Sequence, residues 1–172
     1  MSGAHAVARL NALPAEEARA ELLRCCGASR WADAMVHARP FRDAAHVLAE
    51  GERLWATTGP EDWHEAFRHH PRIGDISRLR ERFASTASWS SQEQGGVAGA
   101  EEAVLQGLAE GNRAYEERFG FIFLVCATGK SAAEMLALLR ERMKNEPGHE
   151  LRVAAAEQGK ILRLRLEKLL AP

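Results

Sequence analysis

The stretch Phe67-Arg68-His69-His70-Pro71-Arg72-Ile73-Gly74-Asp75 interrupts a chain that otherwise reads as consecutive amphipathic helices. Proline disfavours the helical conformation in the residue before it, so a helix that arrives here is predicted to end near His69 or His70. A histidine at a helix C-terminus lies at the negative end of the helix dipole, which favours the protonated imidazole. The break therefore predicts both a helix boundary and a candidate functional histidine.

Helical phase distinguishes His70 from two neighbouring histidines. At about 100° per residue, Trp63 and Phe67 mark the apolar face of the helix before the break, and His70 falls near the middle of that face. His64 and His69 lie roughly 110° away, towards solvent. Two interpretations of His70 stay open at this point: a satisfied core histidine, or an imidazole at the mouth of an irregular functional segment.

Composition limits the class of protein. The chain has 172 residues, 46% of them hydrophobic and 27% charged, which is typical of a single globular domain spanning residues 1–172. Its net charge of −1, with both signs interleaved, predicts no nucleic-acid partner and no membrane surface as a partner.

Cysteine usage and apolar runs predict the compartment. The three cysteines, Cys25, Cys26 and Cys126, are odd in number and lack CxxC spacing, so we expect neither a disulfide framework nor a metal site. The longest apolar run, residues 121–127, is too short to span a bilayer, and the first residues lack the apolar core of a signal peptide. A cytoplasmic location is expected.

Periodicity and capping residues predict an all-α bundle of about seven to nine helices. Asp43 and Asp75 are expected to cap helix N-termini, Gly27 follows a helix end, and Gly120 is expected to be a C-cap. Residues 121–127 could form a buried strand or a buried helical turn, which periodicity cannot separate. The predicted helices cover residues 11–26, 31–38, 44–55, 60–70, 76–83, 91–119, 131–145 and 150–170.

A polar cluster at the start of the long sixth helix has two interpretations. Ser90 and Glu93 have the spacing of a capping box, with Ser90 as the N-cap. Ser90, Glu93 and Gln94 also project within roughly 60° of that helix's apolar stripe, where polar side chains require partners or a ligand.

Arg165 lies inside the apolar arc of the last predicted helix. It could be an arginine whose head group reaches solvent from the core edge. It could instead be an anion receptor, because a guanidinium binds a carboxylate in a fixed bidentate geometry. Together with His70 and Glu93, it would suit a small anionic substrate that requires a proton transfer.

Four segments in order give the chain its resemblance to a known family: His70-Pro71-x-Ile73-Gly74, Ser90-x-x-Glu93-Gln94, Phe119-Gly120-Phe121 leading into Phe123-Leu124-Val125-Cys126-Ala127, and Lys160-Ile161-x-x-x-Arg165-Leu166. Nearly the whole chain resembles 2-oxo-4-hydroxy-4-carboxy-5-ureidoimidazoline (OHCU) decarboxylase. Arg72 is a departure, since many members carry an acidic or other polar residue there. The resemblance implies an all-helical, cofactor-free and usually homodimeric enzyme that forms (S)-allantoin in the last step of urate breakdown.

The resemblance also implies residue roles. His70 would be the catalytic proton donor, and Glu93 would be its catalytic partner, which orients the imidazole and raises its pKa. Arg165 would anchor the substrate, and no residue would bind a metal. The remaining substrate-binding residues would be Pro71, Ser90, Gln94, Phe123, Leu124, Val125, Cys126 and Ala127.

Two alternatives remain from the sequence. The chain could be a non-enzymatic helical binding module whose inward polar groups are satisfied core residues. It could also be a cofactor-free lyase or isomerase acting on a related ureido ring. Convergence of His70, Glu93 and Arg165 on one open pocket would separate the enzymes from the binding module.

Overall fold

A computed structural model of the protein describes residues 2–71, 79, 81 and 94–171, with the backbone alone at 2 and 94–100. Within these ranges the chain forms eight helices and no strand, which confirms the predicted all-α class. None of the described helices is both long and apolar enough to cross a membrane. The helices are α1 (Ser2–Ala12), α2 (Ala15–Cys25), α3 (Ser29–His37), α4 (Ala44–Trp55), α5 (Pro60–Arg68), α6 (Gln94–Phe119), α7 (Ala132–Arg142) and α8 (Pro147–Leu169).

The chain divides into two compact units. The first unit contains Met1–His70 and Val153–Pro172, and the second contains Pro71–Arg152. The single domain expected over residues 1–172 stays a prediction.

Local sequence signals explain the helix boundaries. Asp43 is extended and its carboxylate accepts a hydrogen bond from the His46 N–H, as predicted for the N-cap of α4. Gly120 follows α6 with a φ of 81°, a left-handed conformation that glycine adopts without steric cost, so its predicted C-cap role is confirmed. Ser131 caps α7 by accepting from the Glu134 N–H.

The first unit is built around indole groups that connect its helices. Trp31 is fully buried in α3 and donates its indole N–H to the carbonyl of Gly51 in α4 at 3.0 Å. Trp55 donates to the carbonyl of Ala155 in α8 at 2.9 Å. A Cβ on Gly51 would lie 2.6 Å from Leu166 Cδ1, so glycine is needed for the close approach of α4 and α8. These contacts fix the face of α8 that belongs to this unit.

Two predicted helix boundaries at the chain ends were wrong. The N-terminal region forms α1 and α2 rather than one helix over 11–26, because Pro14 has an extended ψ of 148° and starts a new helix. The last helix begins at Pro147 rather than at residue 150, since proline is well suited to a first helical position. Leu79 and Glu81 are helical, whereas the Asp75 cap and the remainder of the predicted helix over 76–83 lie outside the described residues.

Residues 121–127 form neither of the two expected structures. They run as an irregular segment, although Phe121, Phe123, Leu124 and Val125 are buried as expected. Side chains replace the missing strand or helix partners. Arg142 donates to the Leu124 carbonyl at 2.6 Å, and the Lys130 ammonium donates to the Cys126 carbonyl at 2.9 Å. The prediction failed because periodicity records burial and not which groups satisfy the backbone.

Candidate active site

The C-terminus of α5 places His70 where the sequence predicted. Phe67 is buried, His69 follows the helix as its C-cap residue, and the His70 N–H donates to the Phe67 carbonyl at 3.1 Å. The preceding turn is fixed by Glu65, whose carboxylate accepts from the backbone N–H of Ser29 at 3.0 Å and from its hydroxyl at 2.6 Å. These hydrogen bonds hold the pKa of Glu65 below its usual value, so it remains an anion that attaches α5 to the N-terminus of α3.

Gly27 explains how the histidine pair fits against α2. It does not have a positive φ, yet a Cβ built on it would lie 2.4 Å from His69 Cγ. The His69 imidazole therefore lies directly over the Gly27 backbone, while the side chain remains exposed as predicted. His64 is half-buried against the Phe67 ring, with ring centroids 6.0 Å apart, so the expectation that it faces solvent was wrong.

Among the described residues, the half-buried imidazole of His70 has two polar neighbours, both from α8. Its Nε2 lies 2.6 Å from Gln158 Oε1, and its Nδ1 lies 3.5 Å from Arg165 Nη2. A guanidinium can only donate, so Nδ1 must present its lone pair and the proton of the neutral ring must lie on Nε2. This assigns the Nε2–H tautomer and points the Gln158 oxygen at it.

The surroundings of His70 favour the neutral ring. Burial is the largest effect and lowers the pKa of His70 below its ordinary 6.5; the Gln158 hydrogen bond raises that pKa, and the charges of Arg165 and His69 lower it. The expected rise in pKa depended on the helix dipole and on Glu93. Burial and the arginine charge act in the opposite direction, and Glu93 lies outside the described residues, so its expected effect stays a prediction.

Gln158 was missed by the sequence reasoning. It is fully buried, and its amide nitrogen has no hydrogen-bond partner among the described residues. Two sequence signals could have revealed it: Gln158 precedes Arg165 by seven residues, or two helical turns, and it lies among the apolar residues of the same helix face.

Arg165 also lines a groove of the first unit with a volume of about 510 Å³. Arg9 in this groove forms a bidentate pair with Glu21 at 2.8 and 2.7 Å. Arg165 donates to the carbonyl of Arg24 at 3.4 Å and has no carboxylate partner within the described ranges. The groove therefore has an excess of positive charge that suits a small anion. Its lining residues are Arg9, Glu21, Arg24, Cys25, Arg165, Lys168 and Leu169.

The cysteines of the first unit are poor nucleophiles. Burial raises the pKa of Cys25 to about 11, against an opposing effect of the Arg165 charge, and raises the pKa of Cys26 to about 12. Both thiols are protonated near neutrality. Among His70 and the two cysteines, the imidazole is therefore the group suited to acid–base chemistry at this end of α8.

The structure brings His70 and Arg165 together. The other predicted site residues are either outside the described residues or in the second unit. Ser90 and Glu93 lie outside the described residues, and Gln94 is described only as the first backbone position of α6. Pro71 and residues 123–127 belong to the second unit, and their part in a substrate site stays a prediction. No group of three or more metal-ligating side chains occurs in the described ranges.

Comparison with known proteins places the chain in a family. The family model for OHCU decarboxylase matches residues 11–167. The uric acid degradation bifunctional protein TTL of Arabidopsis thaliana is 38% identical over 147 residues, and the 2-oxo-4-hydroxy-4-carboxy-5-ureidoimidazoline decarboxylase of Amia calva is 36% identical over 104 residues. The matched regions cover 84% and 60% of this chain but only 45% and 58% of those relatives, about half their length.

A solved structure extends the similarity to three dimensions. The crystal structure of OHCU decarboxylase in the presence of (S)-allantoin is 36% identical and has a TM-score of 0.70. The alignment covers 87% of this chain and 96% of that one. The chain belongs to the OHCU decarboxylase family.

Proposed function

We propose that the protein decarboxylates OHCU to (S)-allantoin in urate degradation. The observation that supports this most is the contact of His70 with Arg165 in a chain of the OHCU decarboxylase family. An imidazole can exchange a proton near neutral pH, and a guanidinium can bind a carboxylate. The pair in the first unit therefore supplies the two kinds of group that the proposed reaction needs.

The proposed reaction balances without a cofactor. As CO₂ leaves, the electron pair of the broken C–C bond forms a C=C bond to the adjacent ring carbon. The pair of the neighbouring C=N bond moves onto the ring nitrogen, which takes up a proton. The hydroxyl on the decarboxylated carbon then loses its proton to become a carbonyl, while the adjacent carbon receives a proton on one face. The substrate thus supplies its own electron sink.

His70 and Arg165 divide this work. The carboxylate of the substrate accepts hydrogen bonds from the Arg165 guanidinium, which offsets the positive charge that lowers the His70 pKa. The Nδ1 lone pair can then take the hydroxyl proton, and the resulting imidazolium delivers a proton to the ring carbon. Substrate binding itself therefore makes His70 a competent proton donor.

The remaining roles extend the proposal to residues beyond this pair. Glu93 would orient the protonated imidazole of His70. Ser90 and Gln94 would bind the ring and ureido groups of the substrate. Pro71 and residues 123–127 would line the pocket. Peptide groups in the irregular 123–127 segment suit the urea-like edges of the substrate, because their N–H and C=O groups are not used in a strand ladder.

The proposal includes a cytoplasmic homodimer as the working form. Sedimentation or light scattering of the purified chain measures this directly, with a mass twice 19.0 kDa expected for the dimer. The alternative of a non-enzymatic binding module is disfavoured by the contact between His70 and Arg165, and a lyase acting on a related ring is separated by assaying a panel of ureido compounds.

The product's handedness provides the test. Freshly generated OHCU also decays spontaneously, so circular dichroism of the allantoin formed is more diagnostic than its amount. The wild-type chain is expected to give the (S) enantiomer in excess, and His70→Asn is expected to give racemic product at the spontaneous rate. His69→Asn is the matched control, since that neighbouring side chain is exposed. Turnover by His70→Asn close to wild type would refute the assigned role.

A further inference from the structure

We propose that Gln158 is a positioning residue that fixes the His70 tautomer, so that Nδ1 is the nitrogen that exchanges the proton with the substrate. The assignment of the tautomer stands on geometry alone. Its catalytic consequence rests on the proposed function.

A short contact joins Gln158 Oε1 and His70 Nε2. At 2.6 Å these atoms are within hydrogen-bond distance, and a glutamine oxygen can only accept. Nε2 must therefore be the donor. On the opposite side of the ring, Arg165 Nη2 lies 3.5 Å from Nδ1 and can only donate, which is compatible with the same tautomer and with no other neutral form.

The reversed orientation of the Gln158 amide is unfavourable. If the glutamine amide turned its NH₂ group towards the ring, Nε2 would have to accept and Nδ1 would carry the proton. That proton would then face the Arg165 guanidinium, placing two donors against each other. The amide orientation and the tautomer are thus coupled, and the arginine favours one of the two combinations.

The surroundings of Gln158 hold its side chain in place. Gln158 is fully buried, and the turn of α8 that precedes it is held by the hydrogen bond from the Trp55 indole to the Ala155 carbonyl. A Cβ on Gly159 would lie 3.2 Å from Trp55 Cδ1, so the α4–α8 packing is close at this level. A side chain in such surroundings keeps one rotamer, which is what a group that orients an imidazole requires.

An amide at position 158 acts on His70 differently from a carboxylate. A carboxylate at this position would strongly favour the imidazolium, whereas an amide accepts the Nε2 proton without adding charge. The ring consequently stays neutral, with the Nδ1 lone pair available, until an anionic substrate reaches Arg165. Gln158 thereby determines which nitrogen is basic, and substrate binding determines when that nitrogen takes up a proton.

The experiment compares Gln158→Met with Gln158→Glu. Methionine has a similar length and no strong acceptor, so it removes the hydrogen bond while filling the space. Glutamate restores the acceptor. The surface residue Gln106, exposed on α6, provides the matched control Gln106→Met. The tautomer is read from ¹⁵N–¹H correlations of the imidazole, assigned by comparison with His70→Asn.

The expected result is an Nε2–H signature in the wild-type chain and in Gln158→Glu, and its loss in Gln158→Met. With OHCU, Gln158→Met is expected to lower kcat by about tenfold or more with little change in KM, because the interaction acts on the reacting group and not on substrate binding. Gln158→Glu is expected to raise the His70 pKa and to move the acidic limb of the kcat profile to higher pH, because the ring must be neutral to take the hydroxyl proton. Gln106→Met should match wild type throughout.

Two results would overturn the proposal. One is an Nδ1–H tautomer in the wild-type chain, which needs no variant to fold. The other is a Gln158→Met chain that keeps the wild-type ¹⁵N pattern and kcat. Because the NMR measurement requires no substrate, absence of OHCU turnover by the wild-type chain would refute the proposed function while leaving the tautomer assignment tested separately.

Discussion

Two polar clusters, one in each unit, differ in how completely their groups are satisfied. The Glu150 cluster of the second unit consists of Tyr115, Arg142, Asn145 and Glu150. The His70 cluster of the first unit consists of His70, Gln158 and Arg165. Both use an arginine on a helix face, and within the described part of the chain only the first gives that arginine a carboxylate.

In the Glu150 cluster every polar group has a partner. Glu150 is fully buried and accepts from Arg142 Nε at 2.6 Å, from the Tyr115 hydroxyl and from the Asn145 amide at 2.9 Å. The Arg142 guanidinium also lies 4.7 Å from the centroid of the Phe123 ring, and it donates to the Leu124 carbonyl. Desolvation and the Glu150 hydrogen bond raise the pKa of Tyr115 far above its ordinary range, so the phenol stays neutral.

The His70 cluster is left incomplete. In the described ranges, Arg165 faces an imidazole lone pair and no carboxylate, and the Gln158 amide nitrogen has no partner there. A fully paired network holds a segment in place, whereas an under-satisfied one keeps a charge and a lone pair available for a ligand. The same residue types hold the fold where they are matched, and they leave a charge and a lone pair available to a ligand where the described residues do not match them.

The largest expected effect is on the matched cluster. Glu150→Gln removes the charge partner of a buried arginine, which should lower the free energy of unfolding by about 3–5 kcal/mol. Urea denaturation measures this loss. Glu141→Gln is the control, because its pair with Lys144 is exposed and should contribute only about 0–1 kcal/mol. Equal losses in the two variants would contradict the structural role of the Glu150 cluster.

Arg165→Ala tests the unmatched arginine. We expect kcat/KM with OHCU to fall by about 10²–10³-fold, since a charged donor to the substrate is lost, with little change in the free energy of unfolding. The His70 pKa should rise, because one of the charges that lowers it has been removed. Imidazole titration by NMR measures the shift. A His70 pKa that falls in this variant would show that the guanidinium does not act on the ring.

Gly27→Ala tests the close approach beside the His70 cluster. The added Cβ would lie 2.4 Å from His69 Cγ and 2.5 Å from His69 Cβ, so backbone must move. We expect a loss of about 1–3 kcal/mol in the free energy of unfolding, together with reduced kcat because the α5 terminus is displaced. Gly148→Ala is the control, since a Cβ there would meet nothing within 4 Å. Similar melting curves for both variants would contradict this account of Gly27.

The smallest expected effect is a pH dependence of stability from His70. Its pKa is lower in the folded chain than the ordinary 6.5, so the unfolded chain binds more protons between those two values. The contribution of His70 to stability is therefore present above pH about 6.5 and is lost as the pH falls through the folded pKa. His70→Asn should remove this component, which makes its unfolding free energy less sensitive to pH below 6.5 than that of wild type. A steeper acid loss in the variant would reverse the sign assigned to His70.

Local sequence chemistry predicted much of the fold. Asp43, Gly120 and Ser131 act within a turn of their own position, so their roles could be read without tertiary information. The irregular 121–127 segment could not be predicted, because its backbone partners are side chains distant in sequence, such as Arg142. Gln158 was missed for the same reason, since a polar residue on an apolar arc has many ways of being satisfied.

The sequence by itself determined the all-α class, the helix break after Phe67 and the inward position of His70 relative to the exposed His69, because periodicity and capping are encoded over a few residues. The tertiary structure alone decided which groups His70 meets. Gln158 and Arg165 lie 88 and 95 residues away along the chain, and only the tertiary fold of the first unit brings them to the two ring nitrogens. Burial there also lowers the pKa of His70, since desolvation depends on the completed fold and not on local sequence.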